Sequence, residues 1–489
     1  MILLLMVICS WLVLPISAYA GPPMQAPVLE PVPLIPLSLE ELHAQIDRTH
    51  PLLTGVASEK TTASGKLLVA EGAFEPTLIN DTELERFVSG LDPGKGTQTV
   101  GFNDTLIEAL HPWGFRGSAG VRQAIGAARI PDLAFGDGNQ QVILGGFLPL
   151  LKGLMTNPQH AELQRSELAF PLADIKIART RQDLFLAAAS QFWDWVAAAK
   201  LVDVQTRALA IAKDRHKQVE ERAQDGAVPL IDVVEANQEV QRRREIVIAS
   251  QRLVEKEQLK LSMFLWENGA PTIPPIARAP EFSVERPAPT MEEVMAHKVQ
   301  AQKDRPEVQE IDIEAKINNI DLKLANNNLL PSLDLEAAPA RAPEKFVLGL
   351  GYRFAVELKF PFQQKRSRGE VLKAEAQAIR LVAAQKVSEQ QVLVDVDNAL
   401  SAIRRAKERI EAANESFGLA KTLEEGEQFR FGLGGSSVLF VNLRERNRVD
   451  SESQVILAKA DYHKALAFYQ WAIGSWARGP HDTVAASYR

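Results

Sequence analysis

Residues 346–360 read Phe-Val-Leu-Gly-Leu-Gly-Tyr-Arg-Phe-Ala-Val-Glu-Leu-Lys-Phe. Every second residue is large and apolar: Phe346, Leu348, Leu350, Tyr352, Phe354, Val356, Leu358 and Phe360. Between them stand Val347, Gly349, Gly351, Arg353, Ala355, Glu357 and Lys359, which are mostly small or charged. Successive side chains of a strand point to opposite faces, so this run is a ribbon with one greasy face. It is longer than the ~9–11 residues a tilted membrane-spanning strand needs. A strand of a soluble sandwich would alternate in the same way, so the segment alone leaves both readings open.

The neighbouring chain decides between them. A weaker alternation follows Pro331, with Leu333, Leu335 and Ala337 set against Asp334 and Glu336. Each part of the chain offers only a few such strands, too few to close a barrel. Lipid does not tolerate open sheet edges. The economical solution is a barrel to which several chains donate strands.

Further out, the chain repeats itself. From His50-Pro51-Leu52 a helical pattern runs to Phe74-Glu75-Pro76, and from Arg305-Pro306-Glu307 a matching one runs to Leu329-Leu330-Pro331. A proline opens a helix at its first turn, and a second one ends it and starts an extended segment. Gly146-Phe147-Leu148-Pro149 then matches Lys359-Phe360-Pro361-Phe362, each before a very long helical stretch. Asp225-Gly226-Ala227 falls on Phe431-Gly432-Leu433, and Ile231-Asp232-Val233-Val234 on Ser437-Val438-Leu439-Phe440. The halves are far longer than the roughly 20–50 residues of a solenoid unit, so this is a duplicated domain.

Each half reads as helix, two strands, long helix, glycine turn, long helix. The organisation is a signal peptide at 1–20, a first repeat at 21–269, a Pro-rich linker at 270–289, a second repeat at 290–478 and a tail at 479–489. Residues 90–138, rich in Gly, Asp and Asn, read as a surface loop between the strands of the first repeat. Residues 367–431 contain no proline and could extend about 90 Å as a helix. Leu393, Val396, Ala399, Leu400, Ile403 and Ala406 mark a narrow apolar stripe on that charged rod.

The N-terminus carries an apolar run ending in Ala18-Tyr19-Ala20, a secretory cleavage pattern. The single cysteine, Cys9, lies inside it, so the mature chain is expected to hold together without disulfides. A formal charge of −7 and the absence of a basic patch argue against nucleic acid. No metal, cofactor or catalytic motif stands out. Gly94-Lys95-Gly96-Thr97 lacks the spacing of a phosphate loop, and His111 before Pro112-Trp113 reads as a loop residue.

This arrangement resembles the TolC-like outer-membrane efflux proteins, over about residues 37–476. The markers are the paired Pro-to-Pro helices, the strand-ending Phe360-Pro361-Phe362 and the two glycine turns, in order and twice over. The resemblance implies a mainly α fold with a small membrane β part. Long helical hairpins would form a periplasmic α-barrel, and each subunit of a homotrimer would give four strands to one shared β-barrel. It implies a passive exit duct, not an enzyme, with a periplasmic adaptor, an inner-membrane transporter and outer-membrane lipid as partners. The adaptor would dock on the turns, at Gly226, Ala227 and Val228 and at Phe431, Gly432, Leu433, Gly434, Ser436 and Ser437. Acidic residues ring the constriction in the best-known members. Here Val438 and Val441 stand at the matching positions of the second repeat and Asp232 in the first, so a less cation-selective, apolar entrance is expected. The alternatives are a poreless periplasmic coiled-coil adaptor and an exported enzyme with a helical domain. The first has no use for the greasy strand, and the second has no polar site.

Overall fold

A computed structural model describes residues 35–88, 94, 96–126, 140–283, 289–339 and 352–477. The expected signal peptide and C-terminal tail lie outside these residues.

Both repeats begin with a short helix followed by a proline-led one. In the first, α1 (Leu39–Thr49) is capped by Ser38, whose hydroxyl accepts from Glu41 N–H at 3.0 Å. In the second, α6 (Met291–Asp304; numbered by chain order) carries a reciprocal cap between Thr290 and Glu293. Such caps satisfy backbone N–H groups that the first turn leaves free. Next come α2 (Pro51–Gly72) and α7 (Pro306–Asn327), each of 22 residues and each with its proline at the first turn. There the missing N–H costs nothing. Equal length and equal start are the repeat made visible.

The rods are α4 (Ala169–Gln224) and α5 (Leu230–Ser262) in the first repeat, preceded by the short α3 (Pro158–Glu167). In the second they are α8 (Lys365–Gly432), of 68 residues, and α9 (Val438–Ala472). Each pair forms an antiparallel hairpin, and α4 also packs along α9. Of the stripe foreseen on α8, Val396, Ala399, Ile403 and Ala406 are buried, with Val392 and Ile410 joining them against Tyr462 and Ala458 of α9. A second core gathers Leu42 and Ile46 of α1, Phe185, Phe192 and Trp195 of α4 and Leu261 of α5. Each fully buried aliphatic or aromatic side chain contributes about 1.5–3 kcal/mol.

The linker is strapped onto α1. Leu37 N–H donates to the Arg278 carbonyl at 2.8 Å, and the Arg278 guanidinium binds both carboxylate oxygens of Glu41. A two-residue ladder, β5 (Trp266–Glu267) with β6 (Ala270–Pro271), opens this segment.

The main sheet corrects the expected loop at 90–138 and the two-strand first repeat. Among its described residues that repeat holds four strands: β1 (Thr77–Val88), β2 (Thr97–Leu110), β3 (Arg116–Gly126) and β4 (Gln140–Pro149). The second repeat adds β7 (Ser332–Pro339) and β8 (Tyr352–Lys359). The six form one antiparallel sheet in the order β1-β2-β3-β4-β7-β8, where the resemblance implied four strands per subunit. Glycines that read as loop residues serve close strand approach. A Cβ on Gly120 would lie 2.2 Å from the Thr105 carbonyl oxygen. β4 joins the repeats, with Leu148 opposite Leu335. The sheet of one chain is open, with β1 and β8 as its edges.

Candidate channel wall and helix tips

Cross-strand partners share a face, so the register sorts the side chains of the sheet. On one face β1 places Asp81, Glu83 and Glu85, and β2 places Asp104 and Glu108 opposite it or alongside. β3 adds Arg116 and Arg122 to the same face. β7 adds Asp334 and Glu336, and β8 adds Glu357 and Lys359. Ion pairs link Arg122 to Asp104 at 2.6 Å and Lys359 to Glu357 at 2.8 Å. Among the strand residues whose side chains are described, Arg86 is the one charged residue on the other face.

That other face carries the exposed bulk: Leu78, Leu84, Ile107, Val121 and Leu144, then Phe354, Val356 and Leu358. Phe354 is 71% exposed and Val356 and Leu358 66% each in the single chain. Burying such surface against lipid or a neighbour is favourable by about 25 cal/mol per Å². The strand from which the sequence was read is therefore part of a larger apolar band. Tyr352 belongs to β8, pairing with Pro339, and Phe360 follows the strand with its ring 6.4 Å from Phe362. Phe346, Leu348 and Leu350 lie outside the described residues. Polar groups on β1, β2 and β3 interrupt the band, among them Asn80, Thr82, Arg86, Asn103, Thr105 and Gln123. Asn80 donates to Thr105 Oγ1 at 2.7 Å and Asn103 to Thr82 Oγ1 at 2.5 Å, so these groups satisfy one another.

At the far ends of the rods, two turns reverse the chain. Gly226 and Gly434 take φ of +74° and +79°, the left-handed conformation in which a side chain is strained. Gly435 N–H closes the second turn onto the Arg430 carbonyl at 2.9 Å. Gly226, Ala227, Gly432 and Leu433 are exposed, Leu433 by 73%. Val228 and Phe431 are half-buried against Val219, Val233, Ala236 and Val438. The Phe431 ring also lies under the Arg222 guanidinium, 4.9 Å away. Phe431, expected among the docking residues, thus packs inward and fastens the two turns together. Ser437 occupies the α9 cap position without a side-chain bond to the helix, and Ser436 donates to Glu427.

Val438 and Val441 are also corrected. They are 0% and 1% exposed in a single chain, so they face the protomer's own core and cannot narrow a lumen. Asp232, in the first turn of α5, remains partly accessible. The sequence reading missed the exposed apolar residues beside the turns, Leu230, Ile231, Leu439 and Phe440. Their signal was paired hydrophobes at the first turn of each returning helix.

Just behind the tips lies a buried ionic cluster. Glu239 accepts from Arg242, Arg243 and Arg446. Burial pushes its carboxyl upward, but hydrogen bonds from Arg242 and Arg446 outweigh this and hold it below the ordinary range. Burial pushes Arg243 below its ordinary value. Burial raises Glu424, which Arg448 only partly offsets. Arg215 reaches Glu445 and Asn442 from α4. The two hairpins are thereby joined by charge as well as packing. Among the described residues no group of His, Cys, Asp and Glu is placed to hold a metal, and no helix is long and apolar enough to cross a membrane.

No family profile and no curated protein matches the chain. Solved structures do. The Campylobacter jejuni CmeC outer membrane channel shares 12% identity at a TM-score of 0.65, over 92% of this chain and 90% of that one. The outer membrane protein VceC from Vibrio cholerae shares 14% at a TM-score of 0.64, over 89% and 96%. The open state of the Neisseria gonorrhoeae MtrE outer membrane channel shares 15% at 0.61, over 89% and 88%. The chain has the fold of these outer-membrane channels, with long helical rods joined to an open β-sheet.

Proposed function

We propose that this protein is a passive exit duct in the outer membrane, formed by three copies. Its helical rods stand in the periplasm. A periplasmic adaptor docks on the helix tips, and an inner-membrane transporter supplies the energy. The observation that carries the reading is the two-faced sheet: charge on one side, exposed bulk on the other, and two unpaired edges in each chain. Edges of that kind demand partners in lipid, and a closed wall with a charged interior is a water-filled pore. A poreless periplasmic adaptor would leave the apolar band without a purpose.

Docking at the tips is supported by exposed Leu433, Leu230 and Phe440 around the turns. Gly432 has open space where a side chain would begin, so Gly432→Trp adds bulk without disturbing the fold. The variant should still form crosslinked trimers in the outer-membrane fraction while losing pump-dependent resistance. Resistance equal to that of the parent would remove docking from this turn. A purified chain that stays monomeric and leaves bilayers electrically silent would end the duct reading.

A further inference from the structure

The β2–β3 hairpin is an insertion relative to the chain's own second repeat. Among the described residues, that repeat uses two strands from α7 to α8, whereas the first uses four between α2 and α3. We propose that this hairpin is part of the membrane wall. Three copies then close eighteen strands instead of twelve, and the outer-membrane section passes cargo about half again as wide. The inference rests on the trimeric duct proposed above.

Four observations carry it. First, the hairpin is paired on both sides: Thr97 to Glu108 of β2 along β1, and Arg116 to Gln123 of β3 along β4. It is therefore inside the sheet and not a flap on its edge. Second, its charges and its exposed bulk separate between the two faces, although Phe102 and Leu106 stand with the charges and Asn103, Thr105 and Gln123 with the bulk. Its charges, Asp104, Glu108, Arg116 and Arg122, lie on the charged side. Its exposed bulk, Ile107 and Val121, lies on the apolar side.

Third, the hairpin turn is seated at the junction with the helices. Met155 N–H donates to the Trp113 carbonyl at 3.1 Å, and Asn157 Nδ2 donates to the Pro112 carbonyl at 2.8 Å. β2 and β3, of 14 and 11 residues, thus start level with the other strands and are long enough to span. Fourth, β1 leaves the helical end and β8 returns to it, so the free edges of neighbouring copies meet antiparallel. With about 4.8 Å between strands and a tilt of about 40°, eighteen strands give a perimeter of about 113 Å and twelve about 75 Å. Twelve rods, four per chain, spaced about 8–10 Å apart occupy about 96–120 Å. The wider wall continues the helical cylinder without a step.

The test is polymer exclusion in planar bilayers, with neutral polymers added at the barrel mouth. Deleting residues 97–126 leaves β1 to pair with β4, as β7 pairs with β8. The deletion should lower the exclusion diameter to about two-thirds of the parent's. An unchanged diameter in a variant that still inserts as a trimer overturns the proposal. Should the deletion fail to assemble, Ser118→Cys and Val121→Cys replace it, each in the Cys9→Ala chain. In liposome-embedded trimers a membrane-impermeant thiol reagent should modify position 118 and spare 121. Equal modification of both overturns the proposal, because the hairpin would then lie in water on both faces. A parent chain that forms no channel would sink the duct itself. A parent channel with a twelve-strand cut-off would sink only this inference.

Discussion

Arg122 forks onto Asp104 across the β2–β3 ladder, Nε donating to Oδ1 at 2.7 Å and Nη2 to Oδ2 at 2.6 Å. Asp104 stands directly opposite Asp81 on β1, and like charges in that position destabilise a sheet. The guanidinium is what lets the two carboxylates share the face. Arg122→Met should therefore lower the protein's melting temperature, and adding Asp104→Asn should recover part of the loss. A double-mutant cycle should return a coupling of about 1–2 kcal/mol, reduced from a fully buried pair because both side chains retain some solvent access. Strictly additive losses would mean that the fork contributes nothing.

His43 is stacked on Phe185, with centroids 4.1 Å apart, and lies edge-on to Trp476. Burial drives its pKa from 6.5 down to about 4, against a partly opposing hydrogen bond with the Phe185 carbonyl. The folded protein thus holds a neutral imidazole where the unfolded chain would bind a proton. The resulting contribution is present above pH 6.5 and is lost as the pH falls toward 4. Between pH 7 and pH 5 the loss should be about 2 kcal/mol per subunit. Denaturant titrations at both pH values should show it, and His43→Phe should flatten the difference. A variant with the parent's full pH dependence would place the acid sensitivity elsewhere.

What the sequence disclosed and what it hid follow one physical rule. Patterns held by a single element were legible. The prolines at 51 and 306 marked two helices of equal length, the uninterrupted run before Gly432 gave α8, and Phe354, Val356 and Leu358 announced a greasy strand. Residues settled by partners were not. Asn103, Asp104 and Thr105 look like a loop because three polar residues stand in a row. In the sheet, Asn103 pairs with Thr82, Asp104 with Arg122 and Thr105 with Asn80. Alternation cannot reveal a strand whose two faces are both partly polar. At the tips, aligning the repeats located the turns but not the rotation of α9 about its axis. That rotation sends Val438 and Val441 inward and leaves Leu439 and Phe440 outside.

Glu445 is wholly buried and Arg215 nearly so, and the pair ties α4 to α9 behind the tips with Asn442 Oδ1 accepting from Arg215 at 2.9 Å. A buried charge that loses its partner keeps its desolvation cost, typically about 3–5 kcal/mol. Glu445→Ala and Arg215→Met should each destabilise by that order in denaturant unfolding. The double variant Arg215→Met/Glu445→Leu should cost less than either, because neither charge is left alone. A double variant as unstable as the sum of the singles would show that the two residues act separately.

The charged face of the sheet is predominantly acidic, with Asp81, Glu83 and Glu85 in a row on β1 and Asp334 and Glu336 on β7. Val438 and Val441 being buried, this face and not an apolar entrance is expected to set ion preference. A wall of about 36 Å diameter is wide against the Debye length of about 10 Å at 0.1 M salt, so the charge is felt near the wall and not at the axis. At about 0.01 M the Debye length reaches about 30 Å and the potential fills the pore. Reversal potentials should therefore show clear cation preference in dilute KCl that fades toward 1 M. The triple variant Asp81→Asn/Glu83→Gln/Glu85→Gln should reduce the dilute-salt preference without closing the pore. A preference that ignores ionic strength would point to a narrow ring elsewhere, with Asp232 at the start of α5 the first residue to change.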